Sequence, residues 1–467
     1  MTVKVIMPAR LNPVEPLGHK PTAMHTADTA GQAGLWSGAV AGLISSGFQP
    51  GDVDSSHTRR TRATTPLSRS LRTATATGTT RTTSTGFVLS ADSTAPINSQ
   101  VDGAPFSMLA LVTAWRDCMR HKRHTANAQA FEANIERNLC QLREELLART
   151  YSPGRSICFV VTHPRAREVW AADFRDRVVH HLLYNHIAPR FIASFDAGSA
   201  ACLPGRGTLY AARRLEHDVR SITHNWQRPA SYLKCDLANF FVAIDKHVLQ
   251  VQLHKKVTEP FWQWLTDVVL MHDPRTNYEL RGDPQLLQRV PAHKRLINAP
   301  AHTGLPIGNL SSQFFANVHL NALDQFCKHQ LKARHYNRYV DDFILLHSSP
   351  AWLADALQQI TLWLPLHIGA NLNTSKTILQ PIARGIDFVG HNIKPWRRTT
   401  RKRTVATAIK RIRTMPAADV YTAGNSYLGL MRQASHSHHE QAKVINTLRK
   451  RGYSFTPDLT KILRKTA

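Results

Sequence analysis

Tyr336-Asn-Arg-Tyr-Val-Asp-Asp-Phe-Ile-Leu-Leu346 places runs of β-formers on both sides of Asp341-Asp342. Aromatic and branched side chains favour extended chain, so the stretch reads as a hairpin with two carboxylates at its tip. Upstream, Ser231-Tyr-Leu-Lys-Cys-Asp-Leu-Ala-Asn-Phe-Phe241 alternates in character. One strand face takes Tyr232, Lys234 and Asp236, and the other takes Leu233, Cys235 and Leu237. Asp236 then stands at the exposed end of a half-buried strand. A paired Asp in a tight turn is by itself more often a turn former than a reactive group. Carboxylates on two neighbouring strands change that weighing, because phosphoryl transfer needs oxygen ligands for two hard divalent cations ~4 Å apart. One ion would lower the pKa of an attacking 3′-hydroxyl and the other would neutralise charge on a pyrophosphate leaving group. That is the work expected of Asp236 and Asp341, with Asp342 ligating or supporting.

The surrounding composition bounds the partner. The 467 residues are 42% hydrophobic, enough for one large or two medium cores. Lys and Arg number 59 against 32 Asp and Glu, a formal charge of +27, which favours a polyanionic partner. The six cysteines, Cys118, Cys140, Cys158, Cys202, Cys235 and Cys327, form no C-x-x-C pair and read as reduced cytosolic thiols. No apolar run approaches the roughly 18 residues of a membrane span, and no secretory signal pattern opens the chain, so a cytoplasmic protein without a membrane partner is expected. From Ser55 to Ala91 the chain is rich in Thr, Ser and Arg and has no acidic residue, a composition that cannot build a core. Residues 1–100 are therefore expected to be a disordered basic arm; a phosphate-touching arm and a translation start at Met108 fit that composition equally. Globular patterning begins near residue 105, with helix-like stretches over Met108–Arg120 and Ala126–Thr150 and a β-rich segment from Ile157 to Thr162. No internal repeat is present.

Between the two carboxylate sites lies Gly304-Leu-Pro-Ile-Gly-Asn-Leu-Ser-Ser-Gln313, followed by Ala316, Leu320, Leu323 and Cys327 at helical spacing. The Asp236 strand, this segment and the Tyr339-Val-Asp-Asp342 hairpin, in this order, resemble the reverse transcriptases over roughly residues 105 to 440. The resemblance implies an α+β right-hand polymerase fold: fingers over 101–230, a palm with an antiparallel sheet over 231–395, and a short basic helical thumb over 396–467. It implies RNA-directed DNA polymerase activity with Asp236, Asp341, Asp342 and the Leu237 backbone holding two Mg²⁺ ions, Mn²⁺ being a substitute. RNA template, a DNA or RNA primer and dNTPs are the implied partners.

Further positions follow from the same resemblance. Ile307, Gly308 and Gln313 would meet the template base and incoming nucleotide. Phe241, five after Asp236, matches the bulky position that excludes a ribose 2′-hydroxyl, although without the resemblance core packing is the favoured reading of such a Phe. Leu372-Asn-Thr-Ser-Lys376 resembles the segment whose lysine lies near the leaving phosphates. Ile386-Asp-Phe-Val-Gly390 resembles the primer-grip hairpin, and Gly390, together with Tyr339 of the carboxylate hairpin, would face nucleic acid. Arg165, Arg167, Arg175 and Arg177 lie where fingers cations meet the triphosphate, with no single one singled out. Arg397, Arg398, Arg401, Lys402 and Arg403 form a cationic stretch placed to grip a duplex backbone. His180, His181, His436, His438 and His439 lack the companions of a metal ligand set.

Ile307-Gly-Asn-Leu-Ser-Ser-Gln313 departs from the Q-G-x-x-x-S-P of many family members and resembles the enzymes of bacterial diversity-generating retroelements, as does Asn425-Ser-Tyr-Leu-Gly-Leu-Met431. That subtype implies error-prone cDNA synthesis in retrohoming and a small accessory protein. The alternatives are a phage-defence or abortive-infection reverse transcriptase and a catalytically inactive nucleic-acid-binding protein.

Overall fold

The computed structural model describes residues 103–120, 122–162 and 165–463, so the expected disordered arm lies outside the described residues. The folded chain opens with helices α1 (Met108–Met119), α2 (Ala126–Glu132) and α3 (Ile135–Leu147). The single helix expected over Ala126–Thr150 is thus two. Asn134 leaves helical backbone angles, and Asn138 Nδ2 donates to the Phe131 carbonyl at 2.9 Å, which satisfies the first helix's end.

Strands β1 (Ser156–Val161) and β2 (Arg167–Ala171) then form an antiparallel pair, followed by α4 (Phe174–Ile192) and α5 (Thr208–Ile222). Asp173 caps α4 by accepting from the Arg175 amide at 2.9 Å. After β3 (Ser231–Asp236) come α6 (Phe240–Ala243), α7 (Lys246–His254) and α8 (Pro260–Met271), then β4 (Tyr278–Leu280). β4 pairs in parallel with β1, giving the order β2-β1-β4. Leu296, from the segment after β4, covers Cys158 and Trp170 on one face of this small sheet.

α9 (Leu310–Gln325) leads into β5 (His335–Tyr339), β6 (Asp342–His347), α10 (Pro350–Ile368) and β7 (Ile378–Pro381). The central antiparallel sheet has the order β5-β6-β3-β7. Its alternation decides both cores: Leu233, Cys235, Phe343 and Leu345 point into the largest one with α9 and α10, whereas Tyr232, Ile344 and Leu346 point into a second one with α5. Because both faces of β6 are covered, its register is fixed, since a one-residue slip would exchange the two cores.

β8 (Ile386–Phe388), β9 (His391–Lys394) and β10 (Arg397–Thr400) form a third, antiparallel sheet. The turn between β8 and β9 holds Val389 and Gly390, both at positive φ (42° and 91°), the signature of a tight two-residue hairpin. The cationic stretch from Trp396 therefore begins as a strand before it becomes helix. α11 (Lys402–Thr414), α12 (Ala417–Arg432) and α13 (His438–Arg449) close the chain around their own core of Val405, Ala408, Ile412, Val420, Leu428 and Leu448. Among the described residues, no helix is long and apolar enough to cross a membrane.

Candidate active site

Asp236 ends β3 and pairs in register with Asp342, the first residue of β6. Asp341 occupies the two-residue turn with Val340, and its carbonyl accepts from the Leu237 amide at 3.3 Å. The alternation and turn chemistry of the sequence thus bring the three carboxylates to one end of one sheet. Val340 has φ 58°, a conformation that a β-branched residue adopts only at a cost of about 1–3 kcal/mol. The turn carrying Asp341 is strained and must be held by its surroundings.

Two lysines meet the carboxylates. Lys376 Nζ contacts Asp236 Oδ1, and Asn373 donates its amide to the Asp236 carbonyl at 2.7 Å and its Nδ2 to Oδ1 at 3.2 Å. Lys234 Nζ lies 3.3 Å from Asp342 Oδ2 and donates to the Asp387 carbonyl at 2.8 Å. Strand alternation puts Lys234 on the Asp236 face but gives no reason to pair it with Asp342. Burial, and then the charges of Asp236 and Asp342, push the Asp341 carboxyl up to about 6. Burial also raises Asp342, against the opposing pull of Lys234.

This donor chemistry fits a hard divalent cation: carboxylate oxygens that repel one another are relieved by a doubly charged ion. The ladder bonds flanking Leu237 are made by Asp236 and Ala238 towards residues 371–373, so the Leu237 carbonyl shares the side of its N–H, towards Asp341. Among the described residues, however, no three His, Cys, Asp or Glu side chains are gathered as a metal cage. The lysines stand on oxygens that a cation would take.

The segment Gly304–Gln313 lies against β2. The Trp170 amide donates to the Ile307 carbonyl at 2.8 Å, and Asn309 Oδ1 accepts from the Ala172 amide at 3.0 Å. Gly308, at φ 128°, passes so close that a Cβ would stand 2.9 Å from Val169 Cγ1, which requires glycine. The Leu305 amide donates to the Phe241 carbonyl at 2.8 Å, joining this segment to the turn after Asp236. Gln313 is half-buried in the first turn of α9.

The arginines separate. Arg165 and Arg167 are exposed, whereas Arg175 pairs with Glu145 and lies over the Tyr151 ring, 5.3 Å from its centroid. Arg398 does not belong with the exposed cations. It is buried, paired with Glu216 on α5, and it donates to the Gln433 carbonyl at 2.8 and 3.1 Å, so it fastens the C-terminal helices to the rest of the chain. Arg401 pairs with Asp387, and Arg403 reaches the same carboxylate at 3.5 Å; Arg397 and Lys402 are exposed. Tyr339 is half-buried against the second core, and its hydroxyl is raised to about 12 by burial. The Gly390 carbonyl accepts from the Arg401 amide at 3.1 Å.

Residues 166–393 match the family model described as reverse transcriptase (RNA-dependent DNA polymerase), a span containing all three aspartates, Phe241, Gly304–Gln313, Lys376 and Gly390. No curated protein matches the chain. Among solved structures it is similar to telomerase from Candida albicans in complex with a TWJ fragment of telomeric RNA, at 13% identity and a TM-score of 0.36, over 63% of this chain and 55% of that one. It is also similar to apo telomerase from Candida Tropicalis truncated from its C-terminal domain, at 11% identity and a TM-score of 0.38, over 55% of this chain and 58% of that one. The chain thus spans little more than half the length of those structures. The α+β, right-hand polymerase arrangement expected from the sequence is borne out, with an antiparallel sheet carrying the aspartates. Residues 166–393, just under half of the chain, are thus similar to the reverse transcriptase (RNA-dependent DNA polymerase) family.

Proposed function

We propose that the chain is an RNA-directed DNA polymerase that extends a primer 3′ end with dNTPs on an RNA template. The observation that carries this reading is the cross-strand pairing of Asp236 with Asp342, with Asp341 in the adjoining turn, inside a reverse transcriptase domain. Residues 101–230 serve as fingers, 231–395 as palm and 396–467 as thumb. Asp236, Asp341, Asp342 and the Leu237 carbonyl would hold two Mg²⁺ ions, or Mn²⁺ in their place; these supply an acidified 3′-hydroxyl and charge neutralisation at the pyrophosphate. Lys376 carries positive charge at Asp236 and is assigned to the leaving phosphates. Arg165 and Arg167 are open to a triphosphate as the protein stands, while Arg175 must first leave Glu145.

The test is Mg²⁺-dependent incorporation of dNTPs on a primed RNA, comparing the protein with its Asp341→Ala/Asp342→Ala variant. Incorporation that disappears in the variant sustains the reading. No incorporation by the parent, even with cell extract supplying a partner and RNA, overturns it in favour of a nucleic-acid-binding protein without catalysis.

The subtype proposed is error-prone copying in a diversity-generating retroelement, with a small accessory protein as partner. Its support is Ile307, whose carbonyl is tied to β2 while its half-buried aliphatic side chain stands where many relatives place an amide. Replacing Ile307 with Gln should lower misincorporation, most of all opposite template adenine, as read by sequencing the products. An unchanged error spectrum sinks the subtype and moves the reading towards the phage-defence enzymes.

Thumb cations give a separable prediction. Changing Arg401, Lys402 and Arg403 together to Gln should flatten the slope of log K against log salt in filter binding, by about 0.9 for each phosphate that is no longer neutralised. Arg398→Ala should leave that slope alone and instead cost roughly 1–3 kcal/mol in urea unfolding, because Glu216 loses its buried partner and keeps only the exposed Arg220 at 3.2 Å.

A further inference from the structure

We infer that Arg338 is a positioning residue for the catalytic turn, and that the buried Arg338–Asp324 pair holds Asp341 and Asp342 in place. This rests on the polymerase reading above. Arg338 and Asp324 are both fully inaccessible to solvent, although Arg338 lies only three residues from Asp341. All five guanidinium N–H groups have an acceptor. Nε and Nη2 donate to the two Asp324 oxygens at 2.7 and 2.6 Å, Nη2 to Ser199 Oγ at 2.8 Å, and Nη1 to Asn317 Oδ1 and to the Val340 carbonyl, each at 3.2 Å.

The last bond is the informative one. It falls on the strained residue of the turn, and such a backbone conformation persists only where its surroundings over-determine it. The other four bonds fix the guanidinium to α9 and to the segment at Ser199, elements of the protein interior. Asp324 is itself held by the Tyr336 hydroxyl at 2.7 Å, and Asn317 by the Ala201 carbonyl at 2.9 Å. Gly198 sits so close to β5 that a Cβ would lie 2.2 Å from the Tyr336 carbonyl, so the strand cannot drift from this frame. The fork geometry of an arginine transmits that rigidity to the Val340 carbonyl; a lysine can pair with Asp324 but has no second, fixed donor for the turn.

The test compares Arg338→Lys with Leu142→Ala, a buried substitution in α3 that lowers stability without touching the turn. Below the melting temperature of both, Arg338→Lys should lower kcat on the order of 10–100-fold, with little change in KM for dNTP or in primer-template affinity. It should also weaken Mn²⁺ binding, followed by electron paramagnetic resonance without substrate, and speed amide exchange at 340–342. Leu142→Ala should do none of these. Should Arg338→Lys misfold, Arg338→Met/Asp324→Asn removes both buried charges together and should fold while losing Mn²⁺ affinity. Wild-type kcat and Mn²⁺ affinity in a folded variant would overturn the inference. A parent that binds Mn²⁺ but copies no template would sink the polymerase reading while leaving the positioning role measurable through the Mn²⁺ signal.

Discussion

Replacing Asp341 with Asn should abolish nucleotide incorporation and yet raise the melting temperature of the metal-free protein. The two effects share one cause. Burial and the neighbouring charges of Asp236 and Asp342 push the Asp341 carboxyl up to about 6, from a carboxylate's usual range near 4. A carboxyl raised in the folded state binds its proton more tightly there than in the unfolded chain. Stability is therefore lost as pH rises from about 4 to about 6, and the whole penalty is present at neutral pH. A shift of this size, discounted because the side chain is partly accessible, amounts to roughly 1–2 kcal/mol. Asn removes the charge and keeps the shape, so metal-free Asp341→Asn should melt a few degrees higher at pH 7, with the gap closing towards pH 4. Saturating Mg²⁺ should reverse the order, since only the parent gains the full stabilisation from binding. Differential scanning calorimetry at two pH values, with and without Mg²⁺, checks all of this. A variant less stable than the parent in chelator at pH 7 would show that Asp341 is a structural acid.

The site was legible where its chemistry follows local periodicity. Alternation in Ser231–Asp236 and the paired Asp in a β-hairpin put the three carboxylates together, and the helical spacing after Gly304 foretold α9. Partners distant in sequence were not legible. Arg398 reads as one cation in a basic run, and nothing nearby indicates that Glu216, 182 residues earlier, draws it into the interior. Nothing in the sequence around Arg338 or Asp324 indicates their pairing either, because complete burial of an ion pair depends on acceptors supplied by Ser199 and Asn317 from other elements. β4 is three residues long, too short for a period, and forms only because β1 offers an edge. Within Ala126–Thr150, helix-forming residues run through a break made by the backbone at Asn134 and closed by the Asn138 side chain.

Phe241→Ala should relax the choice of sugar, lowering discrimination between dNTP and rNTP by roughly 10- to 100-fold. A wall of side chain that must be displaced to admit one hydroxyl costs the intruder about 1–3 kcal/mol, which sets that range. Position favours this role. Phe241 lies in the four-residue α6 directly after the Asp236 strand, and its carbonyl takes the Leu305 amide, so it stands between the carboxylates and the segment assigned to the nucleotide. Its ring is half-buried and packs edge-to-face on Phe240 at 5.3 Å. Phe240 provides the internal control: it is 4% exposed and belongs to the core, so Phe240→Ala should cost about 3–5 kcal/mol without altering the sugar preference. Single-nucleotide incorporation with dNTP and rNTP competing separates the two. If Phe241→Ala instead loses stability and activity for both sugars in equal proportion, Phe241 is core packing like its neighbour, and the selectivity must be built from another side of the site.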